Sequence, residues 1–223
     1  MKLEIRITSD NSPTLYNEEL NETYHSIHGA RQESEHVYIK SGLEEFKNKD
    51  EVRIFEMGFG TGLNILLTKN YALTHQLKIN VTSIELFPLP EEIWRKLTYP
   101  ENEIEKSFFE KIHVSEWEKP VVLDADFTLT KLETSLDEVA LTNQFDLIYF
   151  DAFGPDKQPH LWTIPIFEKL FGMLADGGVF VTYSAKGQVR RDLQTAGFTV
   201  ERIPGPPGKR EMLRGRKLPK VEL

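Results

Sequence analysis

From residue 51 onward, short apolar runs alternate with stretches whose apolar residues follow helical spacing. The clearest runs are Glu51–Met57, Leu77–Ile84, Phe127–Leu132, Phe145–Phe150 and Val179–Tyr183. Runs of this length, bounded by turn residues, predict buried strands. Helical spacing predicts helices over residues 61–71, 103–117 and 187–196, among others. The alternation predicts an α/β fold with a doubly wound, mainly parallel sheet.

The two ends of the chain show different patterns. Residues 1–10 alternate like an edge strand, and Ser12 begins a predicted turn followed by a short helix with apolar Leu20, Tyr24 and Ile27. A second helix is predicted from Gly29 to about Ser41. We interpret residues 1–50 as an N-terminal extension that packs over the functional site, and residues 51–223 as the main domain. Two final strands predict an antiparallel C-terminal edge, and Asp176-Gly177-Gly178 predicts a turn.

A glycine turn follows the first strand of the main domain. Glycines at 58, 60 and 62 form G-x-G-x-G, with Leu63 where a dinucleotide-binding turn requires glycine. Glu56 precedes this turn, and a carboxylate there suits a ligand with a cationic end better than a pyrophosphate. The pattern predicts a site for S-adenosylmethionine (SAM), with Gly58, Gly60, Thr61, Gly62 and Asn64 in the turn. The alternative is a turn that only packs a helix on a strand.

Acidic residues also stand near other predicted strand ends. Glu85 is placed to accept the ribose hydroxyls of an adenosine, or to begin a helix before Pro88 and Pro90. Glu133 is predicted to accept the adenine amino group, with Asp126 as the alternative. Asp151 follows the strongest strand at the edge where open α/β sheets bind ligands. The alternative role of Asp151 is to cap the following turn.

Composition narrows the function classes. The 223 residues contain no Cys, which excludes disulfides, thiolate metal sites and a Cys nucleophile. No apolar run approaches the roughly 20 residues of a membrane span, and no metal-binding His spacing occurs. We therefore expect a cytoplasmic protein without membrane or metal partners. The net charge is −8, yet residues 186–223 hold ten Lys/Arg and four Asp/Glu. This basic region is either a phosphate-binding patch or a solvated tail.

Several motifs together carry a family resemblance. They are EMGFGTGLN, DAFGP-x-x-x-P-x-x-W, ADGG, YSAKGQVRR and GPPGKREML, preceded by SPTLYNEELNETYHS and GARQESEHVYI. The chain resembles the methyltransferase domain of the bacterial MnmC tRNA-modification enzymes, and more closely the stand-alone MnmD-type methyltransferases. The resemblance implies a class I SAM-dependent methyltransferase fold. It also implies methylation of 5-aminomethyl(-2-thio)uridine at the tRNA wobble position, giving 5-methylaminomethyl(-2-thio)uridine.

The resemblance also assigns site residues. It implies that Glu56 and the glycine turn hold the methionine end of SAM, Glu85 the ribose, and Asp151 the active site. Glu133 departs from the family's usual Gly-Asp. An FAD-dependent oxidase accompanies the methyltransferase in the two-domain enzymes. Since this chain ends at Leu223 without a second glycine fingerprint, any oxidase partner is expected on a separate chain.

The chemistry of amine methylation predicts further residues that would contact the methyl acceptor. An alkylamine with a pKa of about 10 must lose a proton before methylation, and we expect Asp151 to orient it and favour that loss. Phe153, Trp162 and Tyr183 are candidates to stack on a flipped uracil. Candidates for tRNA phosphates are Lys186, Arg190, Arg191, Lys209 and Arg210. The alternatives are a methyltransferase acting on another amine and an inactive SAM-fold RNA-binding module.

Overall fold

The computed structural model describes residues 2–141 and 144–219. The end of the predicted main domain, residues 220–223, lies outside these ranges. It includes Lys220 and Glu222 of the basic region. The strands are β1 Leu3–Ile7, β2 Pro13–Asn17, β3 Glu22–Thr23, β4 Glu51–Met57, β5 Lys78–Ile84, β6 Pro120–Asp124, β7 Phe127–Leu132, β8 Phe145–Phe150, β9 Leu174–Thr182, β10 Thr199–Pro204 and β11 Glu211–Arg216. The α-helices are α1 Ala30–Ser34, α2 Leu63–His75, α3 Glu91–Trp94, α4 Glu103–Val114, α5 Ile164–Met173 and α6 Gly187–Thr195.

The central sheet has eight strands in the order β10-β11-β9-β8-β4-β5-β7-β6. Strands β9, β8, β4, β5 and β7 are parallel neighbours, and β6 pairs antiparallel with β7. The antiparallel strand β11 is inserted between β9 and β10. The predicted antiparallel C-terminal edge is therefore confirmed, with β10 outermost and β11 next to it. Insertion of β11 buries Met212 and Leu213 completely.

Side chains alternate across the sheet and form two apolar layers. On β8, Leu147 and Tyr149 face the layer containing α2 and α4, while Ile148 and Phe150 face the layer containing α5 and α6. All six residues of β8 are buried. This explains the continuous apolar run, since a central parallel strand is covered on both faces.

The N-terminal extension differs from its prediction. The segment after Ser12 forms strands β2 and β3, which join β1 in a separate antiparallel sheet, so the predicted helix is wrong. The Asn17 side chain accepts hydrogen bonds from the backbone N–H groups of Glu19 and Leu20, which closes a turn directly after β2. The helix predicted from Gly29 is confirmed as α1, continued by a π-helical segment Glu35–Lys40.

A second local difference lies near the start of β9. Residues 176–178, predicted as a turn, fall inside this strand at a register irregularity opposite β8. The glycines there permit the irregularity without breaking the strand.

The direction of strand addition reverses between β4 and β8. From β4 the chain adds β5 and β7 on one side, and from β8 it adds β9 on the other. A crevice forms at such a reversal, at the carboxyl ends of the strands. The two strand ends meet where Asp151 N–H donates to the Met57 carbonyl at 3.1 Å. Among the described helices, none combines the length and apolar character needed to cross a bilayer.

Candidate active site

A cavity of about 620 Å³ occupies the crevice, a volume typical of small-molecule sites. Its walls come from the glycine turn, the loops after β5, β7 and β8, the N-terminal extension and the loop before β11. Nine of the predicted site residues line it: Gly58, Gly60, Thr61, Asn64, Glu85, Asp151, Phe153, Tyr183 and Lys209.

The glycine turn forms one wall through backbone conformations that favour glycine. Gly58, Gly60 and Gly62 have φ values of 93°, 49° and 75°. A Cβ on Gly58 would lie 3.2 Å from the Asp151 carbonyl oxygen, and one on Gly62 would lie 2.9 Å from Ile112 Cδ1. The turn is thus a close-packed cradle with its backbone open to the cavity, and Gly62 begins helix α2 behind it.

Glu85 fixes the conformation of this turn. Its Oε2 accepts the Gly60 N–H at 3.0 Å, and its Oε1 accepts the Phe87 N–H at 2.9 Å. Each oxygen retains a second lone pair for a ligand. The position of Glu85 beside the turn and in the cavity wall agrees with the predicted ribose contact.

Asp151 lies beside the turn, since its backbone N–H donates to the Met57 carbonyl. Asn64 Nδ2 donates to Asp151 Oδ2 at 2.8 Å, so the start of α2 orients this carboxylate. Burial raises the pKa of Asp151, opposed by His25, Tyr38 and Asn64. A carboxylate with a raised pKa is a better proton acceptor than a solvated one.

Glu56 does not line the cavity. It is completely buried behind the turn, where Ser83 Oγ donates to its Oε2 at 2.5 Å. Burial raises the pKa of Glu56 to about 8, so its side chain is mostly protonated at neutral pH. The prediction that Glu56 faces the cationic end of SAM is corrected, because its neighbour Met57 faces the cavity instead.

The two acids proposed for adenine also lie outside the wall. Glu133 is exposed, and its backbone N–H donates to Glu118 Oε1 at 2.7 Å. Asp126 is exposed at the opposite end of β7. The segment immediately after Glu133 lines the cavity in their place, with Thr134, Ser135 and Asp137 as its polar residues.

The three candidate stacking residues divide between cavity and core. Phe153 and Tyr183 line the cavity, and Tyr183 Oη donates to the Ala152 carbonyl at 2.9 Å. Trp162 is only 5% exposed and packs against Phe150. Its Nε1 donates to the Phe153 carbonyl at 2.8 Å, so it supports the loop that bears Phe153. The prediction that Trp162 stacks on a base is therefore corrected.

The predicted phosphate-binding residues occupy different environments. Lys209 lines the cavity, and its Nζ lies 2.7 Å from Glu33 Oε1, so its contact with a tRNA phosphate stays a prediction. Lys186 pairs with Asp156, and Arg191 donates to the Gln188 side chain at 2.6 Å. Lys186, Arg191 and Arg210 are exposed, whereas Arg190 is half-buried.

The extension contributes residues that sequence reasoning missed. Tyr24, His25 and Glu33 all line the cavity. Tyr24 lies 3.5 Å from the position of a Cβ on Gly60, directly against the glycine turn. His25 is buried, which lowers its pKa and keeps its ring neutral. In the sequence, the two N-terminal motifs SPTLYNEELNETYHS and GARQESEHVYI indicate that this region belongs to the family resemblance. They do not assign a role to Tyr24, His25 or Glu33.

The cavity wall is acidic. Its carboxylates belong to Glu19, Glu22, Glu33, Glu85, Asp137 and Asp151. Lys209 is the one Lys or Arg among the described residues of the wall. Over residues 2–141 and 144–219, no cluster of three or more His, Asp or Glu side chains could hold a metal ion.

Sheet order, glycine cradle, Glu85 and Asp151 together define a class I methyltransferase fold with a nucleotide-type cofactor site. The residues fit SAM, since the bare glycine backbone admits a close ligand and the acidic wall complements its ammonium and sulfonium. The model of a family described as S-adenosyl-L-methionine-dependent methyltransferase matches residues 95–218. The chain belongs to this family, and its cofactor is SAM.

Individual relatives extend the similarity over nearly the whole chain. The tRNA 5-methylaminomethyl-2-thiouridine biosynthesis bifunctional protein MnmC of Leptospira interrogans is 29% identical over 94% of this chain and 34% of its own length. Its namesake from Azoarcus sp. is 31% identical over 92% of this chain and 34% of its own length. This chain therefore spans about a third of the curated relatives it matches.

Solved structures give the same picture. The crystal structure of MnmC2 from Aquifex aeolicus superposes with a TM-score of 0.83 at 28% identity, over 99% of this chain and 73% of that chain. Spermidine synthase from Thermotoga maritima shares the fold alone, with a TM-score of 0.56 at 14% identity.

Proposed function

We propose that the protein methylates the exocyclic amine of 5-aminomethyl(-2-thio)uridine at the wobble position of tRNA, giving 5-methylaminomethyl(-2-thio)uridine. The observation that carries the amine acceptor is Asp151, a partly buried carboxylate with a raised pKa that lies beside the cofactor cradle in an acidic cavity. The names of the relatives, matched over more than 90% of this chain, support tRNA as the molecule that bears the amine.

When bound, SAM supplies an electrophilic methyl group on a sulfonium. The glycine turn and Glu85 would hold its nucleoside and methionine parts. Asp151 would orient the acceptor amine and accept its proton, because an alkylammonium has no lone pair to attack the methyl carbon. The hydrogen bond from Asn64 keeps the Asp151 carboxylate in one orientation.

The distribution of charge supports a tRNA substrate with a cationic group. The acidic cavity suits the amine, whereas the exposed basic residues near helix α6 suit the phosphates around it. Lys186 is next to the cavity loop through its pair with Asp156. Phe153 and Tyr183 would contact the flipped base. A tRNA substrate would place the reaction in the cytoplasm.

The test is transfer of tritium from labelled SAM to bulk tRNA from cells that lack the modification, followed by nucleoside analysis. Label in 5-methylaminomethyl(-2-thio)uridine is the expected result. Label in a different nucleoside would contradict the acceptor assignment. Efficient transfer to small amines, with none to tRNA, would instead support a small-molecule methyltransferase.

A further inference from the structure

We propose that Glu33 of the N-terminal extension is a second acceptor-binding carboxylate, which binds the ammonium form of the acceptor amine together with Asp151, while Lys209 holds Glu33 in place. This inference rests on the proposed function and adds a residue to its acceptor site.

The contacts of Glu33 hold it rigidly in the cavity wall. The residue is 7% exposed, yet it lines the cavity. Its Oε2 accepts the Ser26 N–H at 2.7 Å, and its Oε1 accepts Lys209 Nζ at 2.7 Å. A buried carboxylate needs such partners to remain charged. The contact with Lys209 joins the extension to the loop before β11.

Glu33 and Asp151 lie at the same end of the cavity. His25, Tyr38 and Tyr183 are each close enough to both carboxylates for both to affect their pKa values. Lys209 Nζ lies 4.0 Å from the centre of the Tyr183 ring, which places the Glu33–Lys209 pair beside the predicted base-contacting aromatic.

The charges at this end favour one additional cation. Asp151 and Glu33 contribute two negative charges and Lys209 one positive charge, so an alkylammonium makes the group neutral. An acceptor that also carries a carboxylate, such as a carboxymethylamino group, would leave an uncompensated negative charge. Such a charge is costly in a partly buried site. Glu33 therefore favours a plain aminomethyl acceptor over a carboxymethylated one.

The same arrangement serves proton transfer. The acceptor ammonium gives one proton to Asp151, and the freed nitrogen lone pair forms the bond to the methyl carbon. The electron pair of the breaking carbon–sulfur bond stays on sulfur, and the proton later passes from Asp151 to solvent. The negative charge of Glu33 raises the pKa of Asp151, which makes Asp151 a stronger proton acceptor.

The first experiment compares Glu33→Gln with Glu35→Gln, a matched variant nearby in the sequence whose wild-type carboxylate pairs with Arg31 away from the cavity. Gln keeps the size of Glu, and its single amide oxygen can accept from either Ser26 or Lys209, but not from both in the wild-type geometry. For E33Q we expect kcat/KM for tRNA to fall at least about 30-fold, as when one partner of a buried charged contact is removed. SAM affinity should stay near wild type, and E35Q should retain activity.

A charge swap separates substrate binding from a purely structural ion pair. If Glu33 serves only to pair with Lys209, the double variant E33K/K209E should recover activity. Our proposal requires that it remain as inactive as E33Q or worse, because the lysine introduced in place of Glu33 would repel the acceptor ammonium. A swapped protein with wild-type activity, or an E33Q variant with unchanged kcat/KM, would overturn the role of Glu33. If the swapped protein does not fold, the kcat/KM of E33Q alone tests the role of Glu33.

The wild-type reaction distinguishes failure of the proposed function from failure of the role of Glu33. A wild-type protein that transfers no methyl group to tRNA would overturn the proposed function, and the role of Glu33 with it. If the wild-type protein transfers the methyl group to tRNA and E33Q has an unchanged kcat/KM, then the role of Glu33 alone is overturned.

Discussion

The two halves of the cavity are built in different ways. The cofactor half, Gly58–Asn64 with Glu85, comes from one β-α-β unit, and its main contact is a backbone N–H donated by Gly60 to Glu85. The proposed acceptor half combines Asp151, Glu33 and Lys209 from three segments distant in the sequence. The cofactor half can be recognised by local spacing, whereas the acceptor half exists only after the chain has folded. Variants in each half should therefore fail in different steps.

The largest expected effect is in the acceptor half. Asp151→Ala should lower turnover on tRNA by about 10²- to 10⁴-fold, the usual contribution of a positioned acid or base. SAM binding should persist, because the glycine turn and Glu85 keep the contact between them. Single-turnover kinetics and calorimetric SAM titration measure the two effects. Asp156→Ala, in the same loop but exposed, is the control and should retain turnover. Near-normal turnover of D151A would rule out its assigned role.

Glu56 lies behind the cofactor half and should affect stability. Its pKa rises from 4.5 to about 8 in the folded protein. The folded state therefore binds the Glu56 proton more tightly than the unfolded state. This contribution to stability is present below about pH 4.5 and is lost as the pH rises towards 8. At about 1.4 kcal/mol per pH unit, the loss is at most about 5 kcal/mol.

Glu56→Gln removes this titration. Relative to wild type, E56Q should gain free energy of unfolding as the pH rises from 5 to 9. Urea denaturation at pH 5, 7 and 9 measures the difference. Exposed Glu92→Gln is the control, and its difference from wild type should stay constant with pH. A constant difference for E56Q would contradict the buried, protonated state.

The contrast between local sequence patterns and contacts made only after folding also explains which strands could be predicted from the sequence. Strands β4 and β8 were predicted to the residue, because buried parallel strands leave uninterrupted apolar runs between turn residues. The short helix predicted after the Ser12 turn, with Leu20, Tyr24 and Ile27, is wrong, because this part of the chain forms β2, a turn and β3. Its strands carry no apolar run, and hydrogen bonds of the Asn17 side chain define its turn.

Site residues also differ in whether they could be predicted from the sequence. Gly58 and Glu85 were predictable, since each stands at the end of a recognisable strand. The burial of Glu56 was not, because the alternation of a strand tells which residues share a face but not which face meets the ligand. Glu33 carries no sequence signal of a partner, since Lys209 is 176 residues away.

In the cofactor half itself we expect an intermediate effect. Gly58→Ala places a Cβ 3.2 Å from the Asp151 carbonyl at a φ of 93°, which should cost about 1–3 kcal/mol. SAM affinity should fall about 10-fold or more. Gly172→Ala in α5, where a Cβ meets nothing within 4 Å, should stabilise the protein by about 0.5–1 kcal/mol. Calorimetry and thermal unfolding measure both variants. Equal SAM affinity in G58A and wild type would exclude the close backbone approach.

The smallest effects are expected outside both halves, at the exposed basic residues of α6 and of the loop before β11. Arg191→Glu and Arg210→Glu replace exposed cations, and each should weaken tRNA binding several-fold at low salt and lower the salt dependence of binding by about one phosphate contact. SAM affinity should not change, because neither residue lines the cavity. Arg95→Glu is the control, since Arg95 already pairs with Glu91 and Glu110. Filter binding across a salt series measures the slope. If the Arg191 and Arg210 variants behave like the Arg95 variant, then these exposed basic residues are only solvated, and tRNA binding depends on the cavity and its rim.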